Sequence, residues 1–322
     1  MSSATIRTVA VVGAGVIGRS WIQVFARAGC TVAVYDADPR QLARALRWVE
    51  ADIEDLRSRR QITRKEATAR LGRIRRARSL EDALEGVRYV QESGPESIPI
   101  KQALYRDLDR AAPPDAIIGS STSAFDMTAI ADGLPGAARC IVAHPVNPPH
   151  VVPAVEILGG AKTDTRVVTR TIKFMKALGQ TPVLMHKFTP GFVLNRMQAA
   201  LIREAVHLVA SGVCDVQAVD DSIRDGLGLR WALMGPFGVA NTNADTGVRE
   251  YFTRFREAYH GLWDQLDTSI RFDDQLVERL GVQTDRMMKA SLREQRAWRD
   301  RLVEGIRALK AADPLGGRRR RR

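Results

Sequence analysis

The spacing of apolar residues changes once along this chain, near residue 188. Before that point, short apolar runs recur at residues 8–12, 31–36, 88–93, 116–123, 140–145 and 181–186. Runs of that length predict strands buried on both faces, as in a parallel sheet. Between them lie helix-compatible stretches at 16–28, 96–111 and 126–133, and an arginine-rich excursion over 39–78 that reads as mostly helical. Strand and helix in alternation predict an α/β fold built on a doubly wound parallel sheet with right-handed crossovers.

After residue 188 the period becomes helical. Phe192, Leu194, Met197, Ala200, Leu201, Ala205, Leu208 and Val209 fall on one face of a helix over 191–211, with Gly212 as its C-cap. Asp215 is the expected N-cap of the next helix, and Gly226 or Gly228 its end. Residues 244–266 and 284–311 predict further long helices. The expected organisation is a sheet domain over 1–188, an all-α domain over 189–315, and a disordered basic tail over 316–322.

The opening segment, RTVAVVGAGVIGRSWIQVFARAGCTVAVYDAD, carries the first chemical signal. Gly13, Gly15 and Gly18 form G-x-G-x-x-G between a strand and a helix. Such glycines permit a tight turn, let the backbone approach a pyrophosphate, and let helix and strand pack closely; the helix N-terminus then attracts the phosphate charge. Gly29 closes that helix. Asp36, 18 positions after Gly18, ends the next strand, where a carboxylate accepts from ribose hydroxyls. Its charge would repel a 2′-phosphate, so NAD is expected over NADP, although Arg40 stands close by. Gly13, Gly15, Val16, Ile17, Gly18 and Asp36 are the expected cofactor contacts of a Rossmann-type domain.

The second signal is IVAHPVNPPHVVPAVEIL, residues 141–158. An apolar strand delivers His144 into a proline-rich loop and resumes as a strand carrying Glu156. Histidine changes charge near neutral pH, as a general base must, and a carboxylate on its other ring nitrogen would fix the tautomer. Ligands on doubly wound sheets sit beyond the carboxyl ends of the strands. Glu92, Ser121, Thr122, Ser123 and His144 all fall at such ends. Each also has a structural alternative: a histidine capping a strand, a glutamate in an ion pair elsewhere, a Ser/Thr turn.

Composition narrows the class. The 322 residues are 45% hydrophobic and 27% charged, ample for a packed soluble protein, and no run of about 18 apolar residues predicts a membrane span. The N-terminus lacks the pattern of a signal peptide. Cys30, Cys140 and Cys214 are too few and scattered for a disulfide framework, which fits a reducing cytoplasm. His150, His186, His207 and His260 show no metal-ligand spacing, so no metal is expected. The net charge of +12 is concentrated in 57–78 and 316–322. Without a zinc-finger or RNA-binding aromatic motif, this charge reads as a solvated helical face and a frayed tail, or as attraction for a phosphate-bearing substrate, rather than as a nucleic-acid site.

With the glycine loop, SSTS, HPVNPP…VEIL, GFVLNR and GLGLRWALMGP in this order, the chain resembles the 3-hydroxyacyl-CoA dehydrogenase superfamily, and most of all its lambda-crystallin and L-gulonate 3-dehydrogenase branch, from about residue 6 to 300. The resemblance implies NAD-dependent oxidation of a secondary hydroxyl at carbon 3. It makes His144 the base, Glu156 its partner, and Asn195 a catalytic asparagine. It makes Ser123 a substrate-holding serine, Asn147 a neighbour of the nicotinamide, and Glu96 and Lys101 further cofactor contacts. It also implies a homodimer through the helical domain. Asn195 has a structural alternative, a helix N-terminal hydrogen bond. The loop Pro145-Val146-Asn147-Pro148-Pro149 lacks the bulky aromatics of acyl-CoA members, and Arg230 stands where those enzymes lack an arginine. A guanidinium there can grip a free carboxylate in bidentate fashion, or serve a salt bridge or dimer contact instead. The expected substrate is therefore a small L-3-hydroxy acid such as L-gulonate. A 3-hydroxyacyl-CoA such as 3-hydroxybutyryl-CoA is the alternative, favoured by the basic stretch 57–78. A structural NAD-binding protein without turnover is the alternative of another class.

Overall fold

The computed structural model describes residues 6–312; the expected disordered tail at 316–322 lies outside them. The chain divides into two compact units between Asn195 and Arg196. The first contains β1 (Thr8–Val12), α1 (Val16–Arg27), β2 (Thr31–Tyr35), α2 (Pro39–Ser58), α3 (Arg64–Leu71), β3 (Ile74–Arg76), α4 (Leu80–Leu84), β4 (Tyr89–Glu92), α5 (Ile98–Ala111), β5 (Ile117–Ser120), α6 (Met127–Ile130), β6 (Cys140–Pro145), β7 (Ala154–Gly159), α7 (Thr165–Ala177) and β8 (Thr181–Leu184). α8 (Leu194–Ala210) begins at its end.

The eight strands form one sheet in the order β3-β2-β1-β4-β5-β6-β7-β8. Every pairing is parallel except β6 with β7, which is antiparallel. The strand order reverses between β1 and β4, the switch point at which such folds bind ligands. Strand residues alternate between two apolar layers. Val9, Val11, Val32 and Val34 pack with Trp21, Phe25 and Phe174 on one face. Ala10, Val12, Val90, Ile118 and Val142 pack with Tyr105 and Leu108 on the other. Both faces are covered, which is why these strands read as continuous apolar runs.

The excursion over 39–78 is helical as expected to Leu71, but Ile74–Arg76 is an edge strand paired with β2. Its pattern is one half-buried and two exposed residues, so neither apolar continuity nor alternation marks it.

The second unit continues α8 and adds α9 (Val216–Asp221), α10 (Gly228–Leu233), α11 (Pro236–Thr242), α12 (Val248–Arg254), α13 (Arg256–Trp263), α14 (Asp274–Met287) and α15 (Leu292–Ala312). Asp215 caps α9 by accepting from the Ala218 amide at 2.8 Å. The helix does not end at Gly226 or Gly228: a π-helical turn over Ser222–Leu227 carries it into α10. The two long helices expected at 244–266 and 284–311 are each broken. Gly247, at φ 92°, delays the start of the first to Val248, and a turn at Phe255 divides it into α12 and α13. Ser291 and Glu294 bond reciprocally at the start of α15, a capping box that stops the preceding helix from running through. No helix among the described residues is long and apolar enough to cross a membrane.

Candidate functional site

The glycine loop joins β1 to α1 at the switch point. Gly13 has φ 93°, and a Cβ there would stand 2.6 Å from the backbone of Ser93, just beyond β4. A Cβ on Gly18 would stand 1.9 Å from the Gly13 carbonyl oxygen. Both positions exclude any side chain. Gly15 differs: a Cβ there would meet nothing within 4 Å. It is the N-cap of α1 and makes no side-chain cap. Open space before an uncapped helix N-terminus suits a pyrophosphate, whose oxygens take the free amides. Val16, 52% exposed, and Ile17 border that space from the first turn. Asp36 reaches back to the loop, its Oδ2 accepting from the Ala14 amide at 2.7 Å and its Oδ1 from the Asp38 amide at 2.8 Å. Each oxygen keeps a lone pair for a ribose hydroxyl. These residues fit a dinucleotide.

The strand ends beside this loop are cross-linked. The buried Gln91 amide donates to the Ser121 hydroxyl at 2.8 Å and to the Ala143 carbonyl at 3.3 Å, joining β4, β5 and β6. The hydroxyls of Ser93 and Ser121 lie 2.9 Å apart.

His144 is on β6 directly opposite Glu156 on β7. Only an antiparallel pairing, with residues 146–153 as its connection, brings two positions twelve apart in sequence face to face. Their contact is 2.7 Å, from Nδ1 to Oε2. The other carboxylate oxygen accepts from the amides of Val193 at 2.7 Å and Leu194 at 2.9 Å. Burial pushes the Glu156 carboxyl up, but the hydrogen bonds from His144, Leu194 and Val193 outweigh it and hold the group below the usual carboxylate range. An ionised carboxylate only accepts, so Nδ1 carries the proton and Nε2 of the neutral ring is the basic nitrogen.

The amides come from an unusual turn. Gly191 and Phe192 both have positive φ, 78° and 50°. A phenylalanine in that region is strained. Its ring is fully buried, edge-on to His144 at 5.5 Å and to Phe188 at 6.1 Å. The turn thus aims the start of α8 at Glu156, which caps the helix from another element. Asn195 follows Leu194, exposed on the first turn of α8. These amide donors escape a reading of side chains, because backbone groups leave no mark beyond the Pro190-Gly191 pair.

Ser123 lies just after β5, and Glu96 gathers its turn: Glu96 Oε1 accepts from the Thr122 hydroxyl, the Ser123 amide and hydroxyl, and the Ala124 amide. Lys101 is 1% exposed, with its ammonium on the buried Glu92 at 2.9 Å. Asn147 is exposed in the loop after His144, which Arg27 of α1 ties down through the His150 carbonyl at 3.0 Å. Arg230 lies on α10 in the other unit, exposed, and its guanidinium has no hydrogen-bond or ion-pair partner among the described residues. A hollow of about 430 Å³ lined by Asp109, Arg139, Asp164 and Arg170 opens at the opposite ends of β5 and β6, away from this chemistry.

Family models match both parts of the chain: "3-hydroxyacyl-CoA dehydrogenase, NAD binding domain" over residues 8–188, and the C-terminal domain of the same family over 191–290. An L-carnitine dehydrogenase/betainyl-CoA thioesterase of Rhizobium meliloti is 36% identical over 96% of this chain, which spans 62% of that relative's length. Lambda-crystallin of Oryctolagus cuniculus is 33% identical over 96% of this chain and 98% of its own. Among solved structures, an NAD+-dependent 5-formyl-3-hydroxy-2-methylpyridine 4-carboxylic acid 5-dehydrogenase superposes with a TM-score of 0.80 at 27% identity, over 95% of this chain and 99% of that one.

Proposed function

Since the chain belongs to the 3-hydroxyacyl-CoA dehydrogenase family and carries its NAD-binding domain, we propose that it oxidises the 3-hydroxyl of a small free L-3-hydroxy acid, of the L-gulonate type, to the 3-keto acid. The observation that carries this reading is the 2.7 Å contact between His144 Nδ1 and Glu156 Oε2, which leaves Nε2 as the basic nitrogen. NAD, held by the glycine loop and Asp36, would supply the hydride acceptor for this oxidation. His144 takes the hydroxyl proton on Nε2, and the ionised Glu156 stabilises the imidazolium that forms. The amides of Val193 and Leu194 keep that carboxylate ionised and in place. Asn195 and Ser123 orient the substrate for transfer. Gly13, Gly15, Val16, Ile17, Gly18 and Asp36 hold the dinucleotide, with Asn147 beside the nicotinamide end.

Two observations favour a free acid. Arg230 offers an unpaired, exposed guanidinium, suited to a carboxylate. The name of the pyridine neighbour specifies a carboxylic acid, and that of the Rhizobium relative assigns its dehydrogenase activity to L-carnitine and its thioesterase activity to betainyl-CoA. A thioester is the second reading, supported by the family's description and by the exposed cations of the 57–78 stretch, such as Arg60 and Lys65. We also propose a homodimer through the helical unit, because that unit exposes Phe237, Trp263 and Leu233 at 73%, 58% and 66%, more apolar surface than a solitary soluble unit ordinarily leaves in water.

The deciding experiment is NAD reduction with L-gulonate, 3-hydroxybutyrate, L-carnitine and 3-hydroxybutyryl-CoA. Turnover of the thioester alone overturns the free-acid reading. NAD binding without turnover of any of them, from pH 7 to 10, replaces it with a structural, crystallin-like role.

A further inference from the structure

Lys101 stands in the first turn of α5 and is 1% exposed, and Glu92 at the end of β4 is fully buried. Charges withdrawn from water this far cost several kcal/mol each unless fully compensated. The compensation here is complete and directional. Both Glu92 oxygens contact the Lys101 ammonium, at 2.9 and 3.1 Å. The same carboxylate accepts from the Ser120 hydroxyl and the Gly94 amide, each at 2.6 Å. The ammonium's remaining direction points to Glu96 Oε2, at 3.4 Å. On the far side, Glu96 Oε1 collects four donors from one turn: the Thr122 hydroxyl at 2.8 Å, the Ser123 amide at 2.7 Å, the Ala124 amide at 3.1 Å and the Ser123 hydroxyl at 3.2 Å.

We propose that Glu92 is a positioning residue for Ser123. The buried Glu92–Lys101 pair fixes Glu96, and Glu96 fixes the turn at 122–124. A carboxylate can only accept, so the Ser123 hydroxyl spends its single proton on Glu96. Its oxygen then offers lone pairs to a ligand. Ser123 is thereby an acceptor for a hydroxyl of the substrate other than the reacting one, whose single proton goes to His144, and a poor partner for a carboxylate. Lys101 works through Glu96 from inside the protein rather than as a contact of the cofactor. The inference rests on the reading of Ser123 as a substrate-holding residue.

The test uses the full chain with the double variant Glu92→Gln/Lys101→Met, which removes both buried charges together and so strands neither. Three quantities are measured: amide hydrogen exchange at Ser123 and Ala124, NADH affinity by fluorescence, and kcat and KM for the best hydroxy acid. The expected result is exchange at those two amides faster by roughly tenfold, a substrate KM higher by roughly tenfold from lost positioning, and unchanged exchange in β1 and β2 and unchanged NADH affinity. Unchanged exchange at Ser123 and Ala124 in the folded variant overturns the proposal. An NADH affinity that falls as far as the substrate's does also overturns it, by making Lys101 a cofactor contact. Ser123→Ala separates the two readings. If it leaves KM unaltered while the double variant still loosens the turn, the positioning of the turn stands and the substrate role of Ser123 fails.

Discussion

The two units of this chain treat their apolar residues in opposite ways. The first buries Trp21, Phe25, Tyr89, Tyr105 and Ile117 to the last atom, in two layers on either side of one sheet. In the second, the buried apolar residues among those described are Val206, Val209, Val239, Ala240 and Leu276, while Phe237, Trp263 and Leu309 stand 73%, 58% and 72% exposed. Burial stabilises by about 25 cal/mol per Å² of apolar surface. The first unit therefore holds itself together and can keep strained backbone at Phe192 and buried charge at Lys101. The second leaves much of its apolar surface uncovered, the surface that the proposed dimer would bury. The His144–Glu156 pair and Asn195 belong to the self-sufficient unit.

The sharpest way to break this contrast is His144→Asn. If the base resides wholly in the first unit, turnover falls by roughly a hundredfold or more, about 2.7 kcal/mol of transition-state stabilisation, while NADH affinity and melting temperature hold. Stopped-flow and equilibrium fluorescence read the two halves of that statement. Near-normal turnover would remove His144 from the chemistry.

The next effect probes the second unit. Phe237→Asp with Trp263→Asp places charge on its exposed apolar surface without touching the sheet. In a dimer joined there, dissociation strengthens by tenfold or more, the scale of losing about 1.4 kcal/mol or more of anchor residues. Sedimentation velocity reads it. Wild-type protein that stays monomeric at every concentration would show that these residues serve some other contact.

How much of this was legible in the sequence follows the same division. In the first unit, both faces of each strand are buried, so β1, β2, β4, β5 and β6 stand out as apolar runs, and the glycine loop sits between two of them. His144 and Glu156 were legible because a buried strand rarely carries either residue. β3 was not, because an edge strand of Ile74, Arg75 and Arg76 buries almost nothing. The connection of Glu92 through Lys101 to Glu96 was hidden as well: a salt bridge between a strand end and a helix leaves no periodic mark. In the second unit, apolar residues occupy helical spacings whether or not they are buried in this chain. Periodicity alone therefore ran helices through the breaks at Gly247, Phe255 and Ser291, where backbone geometry and a capping box decide.

Asp36→Ala is a smaller perturbation within the first unit. It leaves the amides of Ala14 and Asp38 without their acceptor and removes the charge that would oppose a 2′-phosphate. NAD affinity falls and the preference for NAD over NADP narrows by about tenfold, the scale of one charged hydrogen bond. Competition titrations with both cofactors measure it, and an unchanged ratio would assign the preference elsewhere.

The smallest effect concerns acid. Burial raises the Glu96 carboxyl, but hydrogen bonds from Thr122 and Ser123 and the neighbouring Lys101 outweigh it, and the group lies below the usual carboxylate range. The folded chain thus holds this proton less tightly than the unfolded chain does. Glu96 adds stability above the ordinary carboxylate range, and the gain disappears as the pH falls through the folded value. Glu96→Gln keeps an acceptor for the turn but has no proton to bind. Its denaturant-derived stability should fall less steeply between neutral pH and the acid side of that range, by at most about 1.4 kcal/mol per pH unit for one proton and by less because the side chain is 38% exposed and screened. If Glu96→Gln reproduces the wild-type acid slope, the turn at 122–124 owes nothing to the charge of Glu96, and the self-sufficiency of the first unit rests on its apolar layers alone.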